Sequence, residues 1–256
     1  MLVNGKMMHI ALSEEDTAGY CLLPGDPKRS AKIAGYFDDA RKVGDSREFT
    51  SYLGELGGTP VMVCSTGIGG PSTAIAVEEL AALGVHTFIR IGTCGAMQEE
   101  ILGGDVVIAT AAVRQDGTTR EYAPLEFPAA ANFDAVAALR ESAKRLKLRA
   151  HTGVVQSKDA FYGQHDPQGM PTSAELLYKW EAWKRLGVLA SEMEASTLFV
   201  TAAKRRVRAG AIFHVIWNQE RAAAGLSNPQ VFDMEQAIRA AVGALQILAE
   251  NDRGQV

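Results

Sequence analysis

The sequence predicts an α/β protein, a single domain over residues 1–256 with helices on both faces of a central sheet that is parallel or mixed. Short β-type runs alternate with helical ones along the chain. Several of the β-type runs are apolar almost throughout, as strands covered on both faces are. No linker, repeat or low-complexity segment divides the 256 residues. A chain of that length buries roughly 75% of the surface its unfolded form exposes, so it needs neither disulfide nor structural metal.

Taken in order, Tyr20–Leu23 is a short apolar strand that stops at Pro24-Gly25, and Pro60–Ser65 is a second, built on Val61, Met62 and Val63. Ser72–Leu83 reads as a helix, with Pro71 at its start and Gly84 just past its end, the asymmetry that helix termini favour. His86–Ile91 and Asp105–Ala112 follow as strands rich in Val, Ile and Phe, then Phe133–Leu146 as a helix. His151–Gln156 is a strand, Ser173–Arg185 and Glu192–Arg206 are helices, Ala209–Trp217 is the last strand, and Val231–Glu250 is a closing helix. Gly163–Thr172 and Gln219–Pro229 are polar loops of a length more often functional than incidental, and are candidate lids.

Composition narrows the partners. The formal net charge is −4 and no run of Lys or Arg is interleaved with aromatics, which does not support a nucleic-acid surface and points to a small-molecule partner. Cys21, Cys64 and Cys94 are odd in number and widely spaced, which suits reduced thiols. No C-x-x-C pair occurs, and His9, His86, His151, His165 and His214 lack ligand spacing, so no catalytic metal is expected. Met1–Leu12 has no cleavage-site pattern and no apolar run approaches a membrane span, so a cytoplasmic protein without a membrane partner is expected.

Two segments carry anion chemistry. Pro24-Gly25-Asp26-Pro27-Lys28-Arg29 follows a strand: the glycine admits an anion close to the backbone, helix-start N–H groups point at it, and Arg29 offers a planar fork. A plain turn explains the same residues, so support has to come from elsewhere. It comes from Arg90, inside the apolar run Ile89-Arg90-Ile91-Gly92-Thr93. A buried guanidinium requires an anion, either a protein carboxylate or a ligand, and no partner is evident in the strand itself. Thr93 at the strand end adds a hydroxyl.

The Gly-rich run Ser65–Ser72 lacks the G-K-[ST] ending of a P-loop, and its glycines suit tight strand–helix packing. Ser191-Glu192-Met193-Glu194 has the S-x-x-E spacing of a capping box; alternatively, its carboxylates accept hydrogen bonds from sugar hydroxyls.

Seven segments in this order, PGDPKR, SREFTSY, VCSTGIGGPSTAIAVEELAALG, FIRIGTCGAM, APLEFPA, FYGQH and SEMEASTL, resemble the uridine phosphorylases of the nucleoside phosphorylase superfamily, from His9 to about Asn218. The resemblance implies a three-layer α/β/α fold with a central mixed sheet and a pentosyltransferase that splits a pyrimidine nucleoside, uridine foremost, with inorganic phosphate as co-substrate and no organic cofactor. It implies a phosphate site at Gly25, Arg29, Arg90 and Thr93, with Arg47 from a neighbouring subunit. Ribose falls to Glu192, Met193 and Glu194, with His9 from the neighbour. The base falls to Phe161, Gln164, Ile216 and Trp217. Arg90 and Glu194 are catalytic in this scheme. The implied assembly is a homodimer building a hexamer, with a monovalent cation near Glu48, Ile68 and Ser72 in some members.

This chain departs from the family pattern in ways that bear on the base. An arginine often stands two residues after the glutamine, whereas Gln164 is followed by His165-Asp166-Pro167; Lys158 and His165 then take over base binding and catalysis, as in a bacterial subgroup that this chain resembles. Cys94 replaces a commoner threonine. Bulky Trp217 lies where smaller side chains are usual, either narrowing the base pocket or pointing elsewhere. The last core strand ends Val215-Ile216-Trp217-Asn218 without the aspartate of purine-cleaving relatives, which disfavours purine specificity. A non-catalytic nucleoside-binding protein is the alternative from another class, and the intact arginines and Glu194 argue against it.

Overall fold

Tyr20 and Leu22 bury on one side of a strand while Cys21 and Leu23 bury on the other. This two-sided burial is why the core strands are apolar runs rather than alternating ones. In the computed structural model, which describes residues 1–254, the elements run in the order β1 (Leu2–Val3), β2 (Lys6–Met7), β3 (Tyr20–Pro24), α1 (Pro27–Ala34), β4 (Asp38–Ser46), β5 (Phe49–Leu56), β6 (Thr59–Cys64) and α2 (Gly70–Ala82). β7 (Thr87–Ala96), β8 (Val106–Gln115), α3 (Thr118–Tyr122), β9 (Ala129–Ala130), α4 (Phe133–Arg145), β10 (Ala150–Lys158) and α5 (Phe161–His165) follow. α6 (Ser173–Arg185), β11 (Ala190–Glu192), α7 (Ala195–Arg205), β12 (Arg208–Asn218), α8 (Gln219–Ala223) and α9 (Glu235–Arg253) complete the chain.

The main sheet is mixed, in the order β11-β10-β8-β12-β7-β3-β6-β5-β4, with β9 on β8. α2 and α7 cover the face that holds Cys21, Leu23, Phe88 and Phe213. α1, α4 and α9 cover the other, over Leu22, Ile89, Ile91 and Ile212. The three layers implied by the resemblance are therefore present. β11 also pairs parallel with β10 and antiparallel with β7, through Ala190↔Ala96 and Ser191↔Gly95, so the sheet closes on itself through β7, β12, β8, β10 and β11. Among the described residues no helix is long and apolar enough to cross a membrane.

Every strand and helix expected from the sequence exists, Ser173–Arg185 with its expected bounds and the others with displaced ends. The hairpin of β4 and β5 is an addition to that expectation, because Asp38–Ser46 is polar and mostly exposed, and pairing rather than burial makes it a strand. The helix expected over Glu192–Arg206 starts at Ala195, because β11 claims the residues before it. The two candidate lids are not structureless: α5 reaches into the first and α8 into the second.

Candidate active site

The C-terminal ends of β3, β7, β10, β11 and β12 converge on one open cavity of about 660 Å³. Sites of this kind form where strand ends and their loops meet. Its lining includes Gly25, Arg29, Arg90, Thr93, Lys158, Phe161, Gln164, His165, Glu192, Met193, Glu194, Ile216 and Trp217, all expected from the sequence, and adds Asp26, Gly67, Ile68, Cys94, Gly95 and Ser191. His9 and Arg47 lie outside this lining. His9 Nδ1 is 2.6 Å from Glu79, and Arg47 sits in the β4–β5 turn with φ 54°.

At one end of the cavity, Asp26 caps α1 by accepting from the Lys28 N–H at 2.9 Å, with Pro27 in the first turn, which brings Arg29 to the cavity wall. The Ser65–Ser72 loop lies directly on this turn, as the Thr66 and Gly67 N–H groups donate to Pro24 and Gly25 at 2.9 Å each. Gly67 has φ +69°, and a Cβ there would lie 2.8 Å from the Glu48 side chain. The loop packs tightly, as its composition suggests, and also lines the site.

Arg90 shares the face of Phe88, two residues earlier, and so points at the start of α7. There its guanidinium pairs with the Glu194 carboxylate, an ion pair whose side chains are 5% and 6% exposed. It also donates to Thr66 Oγ1 at 3.3 Å, while its Nε has no hydrogen-bond partner among the described residues and lies 3.9 Å from Glu192. The expectation that Arg90 lacks an evident protein partner is thereby corrected: the partner is a carboxylate brought from far along the chain.

The capping role of Ser191 and Glu194 is corrected as well. Glu192 is the acceptor at this helix start, taking the N–H groups of Glu194 at 2.8 Å and Ala195 at 3.0 Å, together with the Ser157 hydroxyl. Glu194 accepts instead from the Gly69 N–H at 2.7 Å. Burial, reinforced by Glu194 and opposed by Arg90, pushes the Glu192 carboxyl up to about 7.

At the other end, Lys158 closes β10 and donates to Ser191 Oγ at 2.7 Å. Burial pulls its ammonium down to about 8 against the pull of Glu192 and Glu194. His165 is lowered by burial and by Lys158. The Gln164 amide donates to Gln219 at 3.0 Å, tying the two candidate lids together. Pairing of β12 with β7 slips between Val215 and Trp217, so Ile216 and Trp217 both reach the cavity although they are adjacent. Trp217 thus lines the cavity, in the company of Phe161, Gln164 and His165, rather than pointing away from it. Ser191, Ser157 and Thr66 are supports of Lys158, Glu192 and Arg90 to which sequence reasoning gives no such role; Ser191 and Thr66 carry a signal, as parts of SEMEASTL and of the Gly-rich Ser65–Ser72 run, and Ser157 carries none.

A family model described as the phosphorylase superfamily matches residues 20–250. A protein named uridine phosphorylase from Treponema pallidum is 56% identical over 244 residues, 95% of this chain and 95% of its own. One of the same name from Escherichia coli is 47% identical over 218 residues, covering 83% of this chain and 86% of its own. Another from Thermococcus kodakarensis is 43% identical over 253 residues, covering 97% and 88%. The chain belongs to the phosphorylase superfamily.

Proposed function

We propose that this member of the phosphorylase superfamily is a uridine phosphorylase, a pentosyltransferase that uses inorganic phosphate to release uracil and ribose 1-phosphate from uridine in nucleoside salvage. The observation that carries this reading is a single cavity with an arginine end at Arg29 and Arg90, a carboxylate at Glu194, and an aromatic and amide end at Phe161, Gln164 and Trp217. The relatives of that name support it. A non-catalytic binding protein or a purine phosphorylase is not favoured.

Breaking the N-glycosidic bond leaves positive charge on ribose and negative charge on the base. Phosphate held by Gly25, Arg29, Arg90 and Thr93 attacks C1′ as the electron pair of that bond passes to the uracil nitrogen. Arg90 has five N–H donors, and its pairing with Glu194 and Thr66 leaves others for phosphate. A carboxylate has about four lone-pair sites, so Glu194, bonded to Arg90 and Gly69, can still accept from ribose hydroxyls beside Met193 and Glu192. Lys158 stabilises the departing base as a cation, with His165 beside it, and Gln164 matches the N3–H and carbonyl of uracil. Phe161, Ile216 and Trp217 wall the base. No covalent nucleophile is required, since positioning and preorganised charge lower the barrier.

The active unit is a homodimer that builds a hexamer, each pocket completed by His9 and Arg47 of a neighbour; that neither lines its own chain's cavity supports this. Glu48, Ile68 and Ser72 offer a monovalent cation a carboxylate, a carbonyl and a hydroxyl, the hard oxygen donors such ions take. Their proximity supports this: a Cβ on Gly67 would lie 2.8 Å from Glu48 Cγ and 3.5 Å from Ser72 Oγ, which is 3.2 Å from the Ile68 carbonyl. The chain works as one domain over 1–256, in the cytoplasm. Incubating it with uridine, with and without phosphate, tests the reading. Uracil should appear with phosphate only; no uracil, or equal release without phosphate, refutes it.

A further inference from the structure

Three rings stand in a row along the base end of the cavity. Phe161 and His165 have centroids 4.3 Å apart at 42°, and His165 and Trp217 are 5.8 Å apart and stacked at 25°. One ring nitrogen of each of His9, His86, His151 and His214 has a protein partner. Among the described residues, His165 alone of the histidines has none, so ring contacts are what orient it.

Those contacts are unequal. His165 is the last residue of α5, a helix of 5 residues, and Phe161 is the first residue of the same helix and 50% exposed, so Phe161 gives His165 no anchor outside that helix. Trp217 belongs to a different element: its backbone pairs with Gly95 in the sheet. Its indole Nε1 and the Gln164 amide nitrogen would lie 3.6 and 3.4 Å from a Cβ on residue 95, which places both beside the same stretch of β7.

We propose that Trp217 is a positioning residue: its indole, rooted in the sheet, holds the His165 imidazole in the orientation that aims a ring nitrogen at the departing pyrimidine. The proposal rests on the cavity being a uridine phosphorylase site. A stacked aromatic pair is worth roughly two- to tenfold in an equilibrium, which sets the expected loss of aligned His165 when the ring is removed. An aliphatic side chain at 217 leaves the strand, the bulge and the cavity in place and frees the imidazole.

The test is turnover of uridine at saturating phosphate by wild type, Trp217→Val, Trp217→Phe, His165→Ala and the double variant His165→Ala/Trp217→Val, each checked for a normal melting transition. Trp217→Val should lose about two- to tenfold, Trp217→Phe should recover most of it, and Trp217→Val should cost less than about twofold once His165 is absent. An equal loss with and without His165 overturns the proposal, because Trp217 would then act on the base directly. So does wild-type turnover in Trp217→Val or in His165→Ala. A second measurement needs no activity: with histidine labelled in its ring carbons, the signal missing from His165→Ala identifies this residue by NMR, and it should lose its indole ring-current shift in Trp217→Val. An unchanged signal overturns the stack. Failure of wild type to cut uridine would refute the functional reading, and the NMR result would then decide the positioning alone.

Discussion

Removing Arg90 should damage the fold and the chemistry by separable amounts. Arg90, Glu194 and Glu192 have side chains 5%, 6% and 1% exposed, and the guanidinium is the cation between the two carboxylates. Taking one partner from a buried pair costs about 3–5 kcal/mol, and in a domain of this size each kcal/mol moves the melting temperature by about 2–4 °C. Arg90→Ala should therefore melt some ~6–20 °C below wild type. Arg90→Lys keeps a charge beside Glu194 but loses the planar fork, so it should recover much of that stability and little of the phosphate use, which should stay down by about two orders of magnitude. Phosphate itself separates the roles. At about a hundred times its dissociation constant it should stabilise wild type by about 2.7 kcal/mol, visible as a raised melting temperature, and this shift should vanish in Arg90→Lys. An Arg90→Lys enzyme with normal phosphate dependence and a normal phosphate-induced shift would make Arg90 a structural partner of Glu194 only.

Arg29, half-buried on a helix turn, has no carboxylate partner among the described residues as close as that of Arg90; Arg29→Ala should lower phosphate affinity by about tenfold or more with little change in melting, as phosphate titrations and melts would show. Lys158 is protonated below about 8 and neutral above it, so uridine turnover should fall as pH rises through that value, and Lys158→Met should lack this fall in a pH–rate profile. Lys158→Met should also lose less on nucleosides with a more acidic base, measured as the ratio of turnover numbers. Inactive His9→Ala or Arg47→Ala protein, mixed and reassembled with inactive Glu194→Ala protein, should regain part of the phosphorolytic rate; verified mixed oligomers without recovery would sink the shared pocket.

How much of the fold and site is legible in the sequence depends on how strongly local chemistry betrays long-range contacts. β3, β7 and β12 declare themselves because burial on both faces forces continuous apolar runs. Arg90 stands out in such a run for the same reason, since a charge there is too costly to be accidental. Its partner does not stand out. Glu194 lies 104 residues away, and only the closure of the sheet by β11 between β7 and β10 brings the two together. The polar strand Asp38–Ser46 is hidden by the converse effect: an exposed edge strand carries no burial pattern to read. Trp217 can be noticed as bulky, but its direction follows from a bulge at Ile216 that no periodicity contains.

The same closure explains why the site holds its charges so closely. Around the end of β11 stand two cations, Arg90 and Lys158, and two carboxylates, Glu192 and Glu194, all buried. Each is held by a partner that the ring delivers: Arg90 by Glu194, Lys158 by Ser191, Glu192 by the start of α7. Paired in this way the four can remain in a low-dielectric setting without a net excess of either sign. Such a group is nearly neutral as a whole, so it cannot by itself attract a phosphate dianion. The attraction must come from cations outside it, from Arg29 on α1 and, in the proposed assembly, from Arg47 of a neighbour. In the proposed mechanism Arg90 then hydrogen-bonds the phosphate that those outer cations draw in, and the inner charges as a set serve a second purpose. Fixed against these partners, they are already oriented before substrate arrives, which is the condition under which electrostatic stabilisation lowers a barrier rather than merely tightening binding.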